Sequence, residues 1–276
     1  MAANYTAADI KTLRESTGAG MMDVKKALDE AEGDLTKATD ILRVKGLKGV
    51  TKREGRSASN GLVRAHVDGG VGTLVEVNCE TDFVAKNPKF GELADKVLAQ
   101  AVAVEAADAE ALLASEMDGK TVKEVLDEAN AGLGEKIEVR RVARVTGGRV
   151  VNYLHKTDPD LPAQIGVLVA TSGGEEQVAR DIAMHVAAFA PTVLTRDEID
   201  AETVENERRL AEETAREEGK PEQALPKIIE GRLTGFFKEN VLLDQAFAKD
   251  AKKSVAQVAK DAGAEVTGFA RFKVGV

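Results

Sequence analysis

Three histidines, one cysteine and 47 acidic side chains are the groups in this 276-residue sequence best suited to covalent or metal chemistry. His66, His155 and His185 are far apart, and none lies beside a second His or a Cys at the spacing that holds zinc. Cys79 is the only cysteine, so it builds neither an intramolecular disulfide nor a thiolate cluster. There is no GxSxG and no convincing Cys/His pair. GAG in TGAGMMDVKK follows no strand pattern, and neither GxxxxGK[ST] nor a full GxGxxG occurs. No catalytic residue, metal, bound nucleotide or other cofactor is expected.

A binding role leaves a different trace. VNCETDFVAKNP, residues 77–88, sets Phe83 among charged and polar residues in a chain with eight Phe, two Tyr and no Trp. Large apolar side chains are usually buried, which makes Phe83 core filler; loops on rigid scaffolds are also where binding residues concentrate. Taken alone, the stretch leaves both readings open.

Charge narrows the partners. With 38 basic against 47 acidic side chains the net charge is -9, the wrong sign for a protein whose main affinity is for a phosphate backbone. One basic cluster, Arg43, Lys45, Lys48, Lys52, Arg53 and Arg56, falls in KGLKGVTKREGRSASNG, which has no interleaved aromatics and reads as a solvated linker. No apolar run approaches the roughly 20 residues of a membrane helix, and MAANYTAADIK has neither the basic nor the apolar region of an export signal. A cytoplasmic protein that binds neither nucleic acid nor membrane is expected.

The elements that must position Phe83 follow from periodicity. Thr6 with Asp9 forms a capping-box pattern, TGAG (17–20) breaks the chain, Val24, Ala27, Leu28 and Ala31 share one helical face, and Gly33 with Asp34 stops and restarts it. That predicts three short helices. Met22 falls on the far side of the second one, either because the helix start departs from the ideal wheel or because it is an adaptable docking surface. From Gly61 the period becomes two: LVRAHV, DGG and VGTLVEVNC form a hairpin, followed by a helix with Asn87 as cap and Pro88 at its first position. Residues 106–136 are acidic, Ala-rich and helical in tone.

The unit then recurs. VRRVARVTGGRVVNYLHK supplies alternating strand residues, IGVLVAT matches VGTLVEV, and QVARDIAMHVAA matches ELADKVLAQAVA. Aligning Gly72 with Gly166 and Ala94 with Ala179 gives separations of 22 and 13 residues, so the first copy carries nine extra residues, close to CETDFVAKNP. The second copy closes the connection with SGGEE, which weakens the core-filler reading of Phe83. After Pro191, two helical stretches punctuated by Gly219 and Pro221 predict an αα-hairpin, either a solvated pair or a self-association arm, before AEVTGFARFKV closes the second sheet. The expected class is α+β: a three-helix module with its basic linker (1–55), a first core lobe (56–145), a second lobe (146–194 and 246–276) and an inserted antiparallel helical hairpin (195–245).

TGAGMMDVKKAL, EVNCETDFVAKN, IAMHVAA and EVTGFARFKVG together resemble bacterial elongation factor Ts, in the right order and over almost the whole chain. That family resemblance implies a ubiquitin-associated-like N-terminal module and a two-lobed core of antiparallel sheets with helices. It also implies a guanine-nucleotide exchange factor for elongation factor Tu, the GTPase that delivers aminoacyl-tRNA, with no covalent chemistry of its own. In that family the TDFV segment enters the GTPase near its nucleotide, which carries over to Thr81, Asp82, Phe83 and Val84. The resemblance further implies that Arg14, Met21 and Met22 dock the N-terminal module, and that His155, Met184 and His185 touch another domain of elongation factor Tu. Family members often continue past the last strand into a helix that contacts the partner, whereas this sequence ends at Val276. The alternative is a non-catalytic adaptor or chaperone-like binding protein of a cytoplasmic GTPase, with an unrecognised hydrolase third.

Overall fold

The computed structural model describes residues 4–17 and 19–276; Gly18 of the TGAG break and the side chains of Leu47, Lys48 and Thr51, Lys48 being one of the basic cluster, lie outside the described residues. The chain opens with α1 (Ala7–Thr17), α2 (Met21–Glu30) and α3 (Leu35–Arg53). Side chains cap α1 and α3, where Asp9 Oδ2 accepts from Thr6 N at 2.7 Å and Asp34 Oδ1 accepts from Thr36 N and Lys37 N at 2.9 and 3.0 Å; α2 starts after Gly20 without a side-chain cap. Leu13, Val24, Ala27, Leu28, Ala38 and Leu42 form the core of these three helices.

In the first lobe, β1 (Asn60–Asp68) and β2 (Val71–Cys79) pair through a turn at Gly69 and Gly70. Then come α4 (Asp82–Ala85), α5 (Pro88–Ala103), α6 (Ala109–Ala114), a short hairpin of β3 (Glu116–Met117) and β4 (Lys120–Thr121), α7 (Val122–Leu133) and β5 (Glu138–Thr146). The second lobe has β6 (Arg149–His155), β7 (Ile165–Gly173) and α8 (Glu176–Phe189). Next, α9 (Ala201–Glu217) and α10 (Leu225–Asn240) pack on one another through Ala211, Ala215, Leu225, Ile229 and Leu233. Finally β8 (Ala246–Phe247), β9 (Asp250–Ser254), α11 (Val255–Asp261) and β10 (Ala264–Lys273) complete the chain. Two antiparallel three-stranded sheets result, ordered β1-β2-β5 and β10-β7-β6, which makes the chain α+β. VRRVARVTGGRVVNYLHK is divided at Gly147 and Gly148: β5 joins the first sheet and β6 the second.

Register shows the duplication residue by residue. Val63 pairs with Glu76 where Val150 pairs with Ala170, and Gly72 pairs with Val145 where Gly166 pairs with Phe272. The bulge is repeated too: the register slips between Val139 and Arg141 on β5 and between Val266 and Gly268 on β10, opposite corresponding residues of β2 and β7. The two sheets face each other across Val63, Leu74, Val150, Leu168, Ala170 and Phe272. Glycine permits this approach reciprocally. A Cβ on Gly72 would stand 2.7 Å from Val150 Cγ1, and one on Gly166 would overlap Val63 Cγ1 and stand 2.8 Å from Leu74 Cδ1. Where the second copy has Ala170, the first has the fully buried Glu76, ion-paired with Arg141 at 2.5 Å; Arg141 in turn donates to Lys273 O of the other sheet at 2.9 Å.

The linker reading of residues 45–61 is corrected, because α3 continues through it to Arg53. Gly46 lies so close to Ala131 of α7 that a Cβ there would collide with the Ala131 methyl. Around that contact, Arg43 meets Glu128 at 2.5 Å, and Arg53 donates to Asn130 O at 3.2 Å. Arg56 pairs with Glu80 at 3.3 Å beyond the helix end. Arg43 and Arg53 of the basic cluster therefore seat the N-terminal helices on the first lobe. Linker composition concealed a helix whose glycine serves close packing.

Candidate protein-binding site

Six of the nine extra residues of the first lobe lie between β2 and α5, where α4 forms, and the other three lengthen the start of α5. Thr81 caps α4, its Oγ1 accepting from Val84 N at 3.4 Å, and Asn87 caps α5, accepting from Lys89 N at 2.9 Å. Asp82 stands in the first turn, where a carboxylate suits the helix dipole, and pairs with Lys86 at 3.1 Å. A four-residue helix buries only part of its circumference. Val84 and Ala85 go into the lobe core, while Phe83 points outward at 81% exposure. The phenyl ring is therefore not core filler.

A bond links the helix that follows this loop to the N-terminal helices. Lys89, in the first turn of α5, donates from Nζ to Glu15 O at 2.9 Å, at the C-terminal end of α1. Arg14 is exposed on that last turn, and Met21 and Met22 open α2 at 55% and 64% exposure. Both methionines lie outside the helical core that Val24, Ala27 and Leu28 enter.

In the second lobe the three predicted residues separate. His155 is exposed at the end of β6, its Nδ1 3.1 Å from Tyr153 Oη, and Met184 is 41% exposed on α8. His185 has no exposed surface. Its Nε2 lies 2.8 Å from Gln245 Oε1, Ala248 N donates to its Nδ1 at 3.1 Å, and Phe189 stacks on the ring at 4.6 Å. The expectation that His185 itself meets a partner is corrected: adjacent helix positions point about 100° apart, so exposing Met184 turns its neighbour inward. Burial holds the imidazole below its ordinary pKa, partly offset by the bond to Gln245.

Sequence reasoning missed the groups that hold the loop. Glu135, just past α7, receives Glu80 N at 3.1 Å and Thr81 N at 3.0 Å on Oε2 and the Thr81 hydroxyl at 2.5 Å on Oε1. Gly134, with φ +77°, marks the end of α7 and could have located Glu135 at a helix terminus, but not opposite Thr81.

Among the described residues no group of three or more His, Cys, Asp or Glu could hold a metal, and no helix is long and apolar enough to cross a membrane. A cleft of about 300 Å³ opens where α1 and α3 meet α7, but Arg43, Lys120 and Glu128 on its wall are committed to one another. What the surface offers is exposed apolar side chains: Phe83 on the capped, four-residue α4, Met21 and Met22 at the start of α2, and Met184 on α8. Exposed apolar side chains are what a surface that binds another protein presents.

Comparison with known proteins agrees. The family described as Elongation factor TS matches residues 80–276. Relatives named elongation factor Ts include those of Micrococcus luteus and an Arthrobacter species, each 66% identical over 276 residues, and of Kineococcus radiotolerans, 60% identical over 273, with 99% of both chains covered in each case. The chain belongs to the elongation factor Ts family, and so among the factors of translation elongation and protein biosynthesis.

Proposed function

We propose that this chain is a cytoplasmic guanine-nucleotide exchange factor for the translational GTPase elongation factor Tu, speeding GDP release with Phe83 and Asp82 and performing no covalent chemistry. One observation carries the reading: in a lobe that buries Val84 and Ala85, Phe83 is turned out to solvent. Burying a phenylalanine side chain is worth roughly 1.5–3 kcal/mol, which an exposed ring keeps in reserve for a partner. Inserted between helices of the GTPase, Phe83 shifts one of them and disturbs the phosphate and Mg²⁺ contacts behind it, and the rest of the interface offsets that distortion. Nucleotide and factor then weaken one another reciprocally, so that GDP leaves and GTP entry expels the factor. Thr81 and Val84 shape the wedge from behind. Arg14, Met21 and Met22 provide a second contact, the methionines adapting to the surface they meet. His155 and Met184 provide a third on the second lobe, where His185 supports Met184 from below.

The test is the release rate of a fluorescent GDP analogue from elongation factor Tu with catalytic amounts of the protein. Acceleration by orders of magnitude is expected, and Phe83→Ala is expected to bind the GTPase yet lose most of it. Phe83→Ala should leave stability within about 0.5 kcal/mol, since an exposed side chain is removed. Exchange by Phe83→Ala at the unmutated rate would falsify the wedge, and binding without acceleration by the unmutated protein would favour the adaptor.

A further inference from the structure

We infer that Glu135 is a positioning residue for the exchange loop: with Glu80 it forms a reciprocal carboxylate clamp that orients Thr81, and through it the turn that carries Asp82 and Phe83. This inference rests on the proposed exchange function.

The clamp joins two chain segments at the open end of the first sheet. Glu135 accepts three bonds from Glu80 N, Thr81 N and Thr81 Oγ1, while Glu80 Oε1 accepts from Lys136 N at 2.6 Å. Each segment thus hands a carboxylate to the other's backbone amides. Asn60 Nδ2 fixes the remaining Glu80 carbonyl at 2.8 Å. Two neighbouring carboxylates repel, and Arg56, 3.3 Å from Glu80, supplies the opposing charge. Bonds from amides and hydroxyls to an ionised carboxylate are short and directional.

Direction is what the loop needs. The Thr81 hydroxyl donates its hydrogen bond to Glu135, which leaves its lone pairs for Val84 N, the capping bond of α4. Four residues are far too few for a helix to hold itself, so the bearing of α4 must be imposed from outside. Burial of Val84 and Ala85 fixes its depth; the clamp fixes its rotation.

The second lobe provides the internal control. By register, Glu80 and Thr81 correspond to Gly174 and Glu175, and counting back from the matched bulges Glu135 and Lys136 correspond to Ala262 and Gly263. There a Cβ on Gly174 would lie 3.2 Å from Ala262 O and 2.5 Å from Ala264 Cβ, so the same junction closes by direct backbone approach. The fold therefore does not require the carboxylates at this corner. They occur in the lobe that carries α4.

Cys79 reports on the clamp without any partner. It is the only cysteine, fully buried, its Sγ donating to Thr81 O at 3.2 Å, and burial together with the Glu135 charge pushes the thiol up to about 12. Glu135→Ala and Glu135→Gln in the full chain would be compared with the unmutated protein in three ways: iodoacetamide labelling of Cys79, release of the fluorescent GDP analogue across factor concentrations, and the urea midpoint. A preorganised loop avoids an ordering cost on binding. For Glu135→Ala the expected results are Cys79 labelling at least about tenfold faster, a half-saturating concentration raised about tenfold, equivalent to about 1.4 kcal/mol, and a maximal rate within about twofold. Glu135→Gln keeps an acceptor oxygen and should fall between. Labelling unchanged in both variants, or faster labelling with an unchanged half-saturating concentration, overturns the positioning role; should Glu135→Ala fail to fold, Glu135→Gln is judged by the same readouts. If the unmutated protein fails to accelerate release, the exchange function itself falls, a result separate from any difference between variants.

Discussion

His185 shows how a single ring can be read chemically once its neighbours are known. Ala248 N–H donates to Nδ1, so the proton of the neutral imidazole sits on Nε2 and is given to Gln245 Oε1. Burial disfavours the charged ring, which is why the pKa falls below the ordinary 6.5 even though the bond to Gln245 favours the proton. The sign follows: below about 6.5 the unfolded chain binds a proton that the folded ring resists, so stability is full above that pH and is lost as pH falls toward the depressed folded value. The gap in urea midpoint between the unmutated chain and His185→Phe should therefore narrow below pH 6.5; a constant gap would rule out the buried neutral ring. None of this was visible in IAMHVAA, because Gln245 and Phe247 arrive from about sixty residues away. Phe83 was more legible. Comparing the two copies showed that the lobe closes without it, and Met22 was legible from its angle on the helix.

At the scale of elements, alternation and capping residues located β1, β2, α5, α8 and β10, since those signals are local. Which sheet a strand joins is not local: β5 and β6 are continuous in pattern, and the break at Gly147 and Gly148 matters because a Cβ on Gly147 would come within 2.9 Å of the Ala170 methyl. The glycines facing between the sheets were used to align the copies, yet their packing role appears only when the sheets are stacked. Gly166→Ala tests it. The residue is extended and any side chain could adopt its backbone, so the cost is purely steric. Overpacking a well-filled core costs about 1–3 kcal/mol, and urea unfolding of Gly166→Ala should show a loss in that range. Stability equal to the unmutated chain would mean that the inter-sheet layer yields freely.

For the whole molecule, the question is whether the N-terminal helices and the exchange loop act as one rigid body. Among the described residues, three polar ties join them to the first lobe: Arg43 to Glu128, Arg53 to Asn130 O, and Lys89 to Glu15 O. The ion pair among them is partly exposed, and such pairs contribute little. The close contact of Gly46 with Ala131 should decide the matter, because it allows α3 to lie along α7. Gly46→Leu replaces that contact with a bulky side chain while leaving the cores of both parts intact. The helices around Leu13 and Leu28 should stay folded but come away from the lobe, tethered only by residues 54–59. Under the proposed function, contacts held at a fixed separation act together, whereas a flexible tether lowers the effective concentration of the second contact. Affinity for elongation factor Tu, measured by calorimetry, should drop about tenfold in Gly46→Leu, with hydrogen exchange of the two sheets unchanged and that of α7 increased. If exchange at α7 rises but affinity does not fall, Met21 and Met22 do not depend on the docked geometry, and the N-terminal helices reach the GTPase by themselves.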